Sequence, residues 1–213
     1  QKNQALELEE KTLSGQLSLV RPAYMQAIIA FNKAQGKPVY PDANGTLRIT
    51  YGTVDGYPAQ DGIYKTPFTS VRGLIAKRQA EYPFSLPQPL VDAYTSGKTK
   101  GYFYADLSAQ TTAASNCTAA SCSPAQGKGF QSVPVNFLSS ADTTGGNSGS
   151  AVMNGQGELV GLNFDSTYES ITKDWYFNPA ITRAIHVDIR YVLWLMEHVD
   201  GAHNLLNEME IVR

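Results

Sequence analysis

The stretch Asp142-Thr143-Thr144-Gly145-Gly146-Asn147-Ser148-Gly149-Ser150 decides how the rest of the chain is read. Its glycines let the backbone turn so that successive amides can point at one spot, the arrangement that acyl transfer demands around a serine nucleophile. Ser148 is therefore the candidate attacking residue. Ser150 stands where the last glycine of a Gly-x-Ser-x-Gly elbow would be, and no strand-turn-helix context surrounds it, which excludes an α/β-hydrolase elbow. In a chymotrypsin-type arrangement the oxyanion hole is formed by the amides of the nucleophile and of the residue two before it, here Ser148 and Gly146.

Working outward, the loop is flanked by short strand-like runs: Gln131 to Leu138 before it, Ser150 to Met153 and Gly157 to Phe164 after it. Asn154-Gly155 between the last two is a hairpin signal, with a type I′ turn expected. Gly101 to Leu107 and Thr46 to Val54 read as further strands, the latter from its alternating β-branched and aromatic residues. The fold class is thus mainly β with helices, an antiparallel barrel or sandwich. Thr69 to Tyr82 and Pro89 to Ser96 are predicted helical, as are Val187 to Glu197 and Ala202 to Met209, hinged at Gly201. Leu6 to Ala34 has helical spacing broken at Gly15 and Pro22 and reads as a helical hairpin or the tail of one. A composition boundary falls near Gly36.

The formal charge of -2 comes from intermixed acidic and basic residues without a basic run, so nucleic acid is not an expected partner. No apolar run approaches a bilayer span, and no membrane partner is expected. Cys117 and Cys122 share a small-residue loop without the second Cys or His pair of a structural zinc site. A local disulfide is the preferred reading over two unpaired thiols, and it implies an oxidising compartment. Neither a metal nor an organic cofactor is expected, since no His-Glu-x-x-His, phosphate loop or calcium loop is present. The chain opens Gln1-Lys2-Asn3-Gln4, without initiator Met or signal peptide, and reads as an excised piece.

Three blocks in order, Asp142 to Ser150, Gly157 to Asp165 and Val187 to Trp194, resemble the bacterial dipeptidyl-peptidase 7 and 11 family of serine exopeptidases. The resemblance runs from about Tyr40 to the end, with dipeptidyl-peptidase 7 the preferred likeness. It implies a chymotrypsin-like double barrel interrupted by a helical domain. Residues 1–36 would end that insertion, and 37–213 would be the second barrel with its C-terminal helices. It also implies peptide substrates with a free N-terminus, a homodimer in the full-length protein, and a periplasmic, cell-surface or secreted location in a Gram-negative bacterium.

The resemblance assigns substrate binding to Asn163, Phe164, Asp165 and Ser166. Asp165 is expected to hold the terminal ammonium; without the family pattern, capping of the following turn is an equal reading. Ser166 falls where acidic-specific members carry Arg and hydrophobic-preferring members Gly, so a hydrophobic second residue is expected. Asn147 replaces the Asp that trypsin-like enzymes use in activation, and Ala151 replaces a usual Pro. His186, His198 and His203 all follow Ser148, whereas the chymotrypsin order puts His and Asp before it. They are read as surface or capping residues, the general base lies upstream, and the 213-residue chain alone is expected to be inactive. Lys173, the nearest candidate for a Ser-Lys pair, is expected in solvent. Two alternatives stand: a non-catalytic peptide-binding protein on a degenerate barrel, and a trypsin-like endopeptidase using Asp142.

Overall fold

The computed structural model describes residues 2–37, 39, 45–99, 102 and 132–212. The expected Cys117–Cys122 bridge and most of the expected strand Gly101 to Leu107 lie outside the described residues. The chain divides into two units, Gln1–Gly45 and Thr46–Arg213.

In the first unit, the expected helical hairpin is a single helix, α1 (Lys2–Ala34), with Pro22 inside it. Proline cannot donate to the carbonyl four residues back, here that of Ser18, but the residues on both sides favour helix and the backbone continues through. The hydroxyls of Thr12 and Ser18 donate to the carbonyls of Leu8 and Ser14, each at 2.8 Å, which removes two polar groups from competition with the helix.

The second unit is built on antiparallel strands. β1 (Tyr57–Gln60) and β2 (Ile63–Lys65) form a hairpin around Gly62, whose φ of 74° a side chain would resist. β3 (Phe68–Ser70) leads into α2 (Val71–Lys77) and then α3 (Gln88–Thr95). β4 (Pro134–Ser139), β5 (Ala151–Met153), β6 (Leu159–Ser166) and β7 (Ala184–Asp188) follow, with α4 (Ile189–His198) and α5 (His203–Leu206) at the end. The main sheet has the order β3-β4-β7-β6-β5. Among the described residues it is open, with β3 and β5 at its edges, and the closed chymotrypsin-like barrel expected from the resemblance is not found.

Sequence patterning and structure part in several places. Thr69 and Ser70, expected to open a helix running to Tyr82, belong to β3, and the helix itself spans only Val71–Lys77. The stretch Thr46 to Val54 is extended but joins the sheet only at its end, through a Val54 to Ser139 bridge and paired bonds between Thr53 and Ser140. The loop after Met153 turns through Gly157 (φ 81°), not as a type I′ turn at Asn154-Gly155. The Asn154 carboxamide accepts from the amides of Gln156 and Glu158, both at 3.0 Å, and fixes a longer loop with a left-handed residue at its end. The final long helix begins at Ile189, because Val187 and Asp188 belong to β7. Asp188 is the cap: its carboxylate accepts from the Arg190 amide at 3.0 Å and from the Arg190 guanidinium at 2.9 and 2.7 Å.

The core lies between the helices and the sheet. Trp194 of α4, fully buried, packs with Val71, Leu90, Val133 and Val135, and its indole N–H donates to the Lys98 carbonyl at 2.7 Å. This side of the sheet is thereby fixed. In the sheet order β7 and β6 separate β4 from β5, so residues 140–150 must cross three strand spacings, about 14 Å, at one end of the sheet. That crossing lays the serine loop over the last residues of β6.

Candidate active site

Two successive turns present Ser148. In the first, the Asn147 amide donates to the Thr144 carbonyl at 3.2 Å with Gly146 at φ 95°. In the second, the Ser150 amide donates to the Asn147 carbonyl at 3.0 Å with Gly149 at φ 82°. A glycine therefore occupies the third position of each turn, where positive φ is required. The Asn147 side chain closes the first turn by accepting from the Thr144 amide at 2.9 Å. Its amide thus has a structural task, in place of the activating ion pair that an aspartate would make. Ser148 is exposed, and the amides of Gly146 and Ser148 have no hydrogen-bond partner among the described residues.

Asn163 of β6 grips this loop on three sides. Its carbonyl accepts from the Gly149 amide at 2.7 Å, its amide donates to the Ser150 carbonyl at 2.9 Å, and its side-chain N–H donates to the Asn147 carbonyl at 3.3 Å. The side chain is buried, and its oxygen has no partner among the described residues. One residue later β6 carries a bulge: Asn163 pairs with His186 and Asp165 with Ile185, which leaves Phe164 as the extra residue. Bulges re-aim side chains at strand ends. Phe164 is about half exposed.

A pocket of about 330 Å³ opens here, lined by Ser148, Asn163, Phe164, Asp165 and Ser166 together with Thr143 to Gly145, Thr167, Tyr168, Ser170, Ile171 and Lys173. The structure thus brings the residues expected to bind substrate to one cavity with Ser148, the candidate nucleophile. Gly146 does not line it. Asp165 is exposed, and one carboxylate oxygen accepts from the Ser166 amide at 2.7 Å, the capping contact that was an equal reading of the sequence.

Lys173 corrects the expectation of a solvent-exposed lysine. Its side chain is 15% exposed, and its ammonium donates to the Thr143 carbonyl at 2.6 Å and meets Asp174 at 3.2 Å. Asp174 in turn accepts from the Thr144 hydroxyl at 3.3 Å, so this loop is tied to the nucleophile loop twice. Asp142 is half-buried beside it. Burial pushes its carboxyl above the usual 3.8, against the pull of Lys173, and Asp174 adds to the rise. Asp142 is not among the residues lining the pocket, which removes the basis for selecting basic side chains with it.

The histidines divide. His186, expected at the surface, is buried on β7, where its Nε2 shares a 2.7 Å hydrogen bond with the Ser139 hydroxyl and its ring packs 4.8 Å from that of Phe137. Burial drops its pKa from 6.5 to about 4, so it is neutral at pH 7. His198 ends α4 beside Glu197, and His203 opens α5.

Sequence reasoning missed Arg183, which locks the turn after the pocket. Nearly fully buried, it donates to the carbonyls of Gly56, Pro179 and Thr182 at 2.8 Å and lies 3.4 Å from Asp55. Spacing gave no sign of it, because its partners are 127 and 128 residues away or sit in a turn without periodicity.

Among the described residues no group of acidic, His or Cys side chains could hold a metal ion, and no helix is long and apolar enough to cross a membrane. The chain is 56% identical over 211 residues to an Asp/Glu-specific dipeptidyl-peptidase of Shewanella putrefaciens, covering 99% of this chain and 29% of that protein. It is 34% identical to a dipeptidyl-peptidase 7 of Phocaeicola vulgatus, covering 92% of this chain and 24% of that one. Porphyromonas endodontalis DPP11, solved in complex with the dipeptide Arg-Asp, superposes with a TM-score of 0.67 at 31% identity over 85% of this chain and 23% of that structure. The chain therefore spans less than a third of the length of these relatives. The peptidase S46 model matches residues 1–211, and the chain belongs to that family.

Proposed function

We propose that this chain supplies the nucleophile and the substrate pocket of a serine-type dipeptidyl aminopeptidase, which releases dipeptides from free N-termini. The observation that carries the proposal is the pair of glycine turns setting an exposed Ser148 at the mouth of a pocket shared with Asp165. In this reading Ser148 attacks the second peptide carbonyl, and the unpartnered amides of Gly146 and Ser148 receive the negative charge that develops on its oxygen. The proton leaves Ser148 for a histidine outside these 213 residues, since His186 is held on Ser139 and neither His198 nor His203 lines the pocket with Ser148. The 213-residue chain alone is then inactive.

Asp165 would bind the terminal ammonium with the carboxylate oxygen that its own backbone contact leaves over, and that requirement excludes blocked peptides. Substrates of this kind suit a periplasmic or cell-surface enzyme. Ser166 brings no cation into the pocket, which taken alone favours a hydrophobic second residue. Two observations favour an acidic one instead: Lys173 lines the same pocket, and a relative 56% identical is named as Asp/Glu-specific.

The test is an assay of the whole protein, at the length of its relatives, on fluorogenic dipeptides with free or acetylated N-termini. Cleavage confined to free N-termini is expected, with a raised KM in Asp165→Asn. Equal cleavage of acetylated substrates would remove the ammonium role of Asp165.

A further inference from the structure

Resting on the dipeptidyl-peptidase reading, the geometry points to Lys173 as the residue that selects an acidic side chain at the substrate's second position. Among the described residues the pocket beside Ser148 has one basic side chain in its lining, Lys173, and one carboxylate, Asp165. A dipeptide with a free amine and an acidic second residue carries the matching pair of charges. Asp165 takes the amine and Lys173 the carboxylate, so each substrate charge meets its opposite without a second charged partner being brought in.

Lys173 is prepared for this. An ammonium has three N–H donors. Two are used, on the Thr143 carbonyl and on Asp174, and the third has no partner among the described residues. The Thr143 contact at 2.6 Å fixes the end of a side chain that would otherwise cost conformational entropy to order on binding. Asp174 is a weak competitor, being about half exposed and 3.2 Å away, so water screens it more than it would screen a carboxylate enclosed in the pocket. A hydrophobic side chain would strip water from the ammonium and return no hydrogen bond. An acidic one replaces that water with a charge-assisted bond. The small Ser166 side chain, in the same lining, takes little of the pocket's space.

Lys173 also holds the Thr143 carbonyl, so loss of the lysine could slow every substrate by loosening the nucleophile loop. The discriminating quantity is the ratio of kcat/KM for substrates with Asp and with Leu at the second position. In the whole protein this ratio is expected above one, and in Lys173→Met it is expected to fall about 30-fold or more, through KM for the Asp substrate. Lys173→Arg, which keeps the charge, retains most of the ratio. Wild-type kcat/KM for the Asp substrate falls as salt is raised while that for Leu holds, a measurement that needs no variant. An equal loss on both substrates would leave Lys173 as a loop-positioning residue and overturn the proposal, as would a wild-type preference for Leu. Failure of the wild type to release any dipeptide would overturn the dipeptidyl-peptidase reading itself, and this proposal with it.

Discussion

The serine loop lines the pocket, the turn locked by Arg183 lies behind it and reaches its lining through the Arg183 main chain, which bonds Thr167 and Ser170, and the two are held in opposite ways. Residues 142–150 are positioned by turn bonds, two positive-φ glycines, the main chain of Asn163 and side-chain ties from Asn147, Asn163, Lys173 and Asp174, almost all of which end on the loop's own backbone and none on the Ser148 side chain. The Arg183 side is held by side chains, with a guanidinium gathering the carbonyls of Gly56, Pro179 and Thr182 while Tyr57 and Lys65 both bind Glu169. A loop fixed by its backbone can present a bare serine to solvent without that side chain contributing to the fold. A turn fixed by buried charge cannot lose the charge without losing its shape. The first arrangement separates chemistry from stability, and the second makes them inseparable.

The sharpest way to break this contrast is Ser148→Ala. In the whole protein it is expected to lower kcat by about 100,000-fold or more, since members of a catalytic unit fail together. Because Ser148 is exposed, stability should stay within about 0.5 kcal/mol of the parent, measured by denaturant unfolding. A large stability change would mean that the hydroxyl holds the loop. Arg183→Met should behave in the reverse manner. It removes the donors to three carbonyls and leaves the site buried, a loss of about 3 kcal/mol. Arg183→Lys restores only part of it, because an ammonium cannot reproduce the guanidinium fork. Unchanged unfolding of Arg183→Met would place the lock elsewhere.

The contrast also explains what could be read from the sequence. The serine loop was legible because its requirement is local: Gly146 at φ 95° and Gly149 at φ 82° occupy positions that side chains resist, and the glycines are visible as letters. The central strand β7 was not. Its buried face carries Ala184, His186 and Asp188, of which His186 reads as a surface residue and Asp188 as part of the following helix until Ser139 and Arg190 supply their partners. The hairpin after Met153 was located correctly but given the wrong turn, because the Asn154 side chain redirects the loop through Gly157. Lys173 sits in a polar run that suggests solvent, yet its partner carbonyl is 30 residues away. Asp142 at trypsin's spacing suggested a pocket that the fold builds elsewhere. Local backbone demands survive in sequence, whereas long-range polar pairings leave no periodic trace.

The smallest predicted effect concerns acid. The ammonium of Lys65 at 2.8 Å, and secondarily the Tyr57 hydroxyl at 2.5 Å, draw the Glu169 carboxyl from its usual 4.5 down to about 2. A carboxyl whose folded pKa lies below its unfolded one stabilises the native state above the unfolded value, and this contribution disappears as pH falls through the folded value. The stabilisation is therefore complete above about pH 5, declines below it, and is lost as pH falls through about 2. Lys65 is nearly half exposed, so water and salt limit it to about 1 kcal/mol or less. Glu169→Gln should flatten the acid limb of the stability profile over this window and leave the profile near pH 7 lowered by that amount. High salt should mimic the substitution for Glu169 and leave the Arg183 lock intact, because Arg183 is nearly fully buried and its bonds are mostly to carbonyls. If salt weakens both variants' parent equally with or without Glu169, the acid limb belongs to other carboxylates and the Lys65–Glu169 pair contributes nothing measurable.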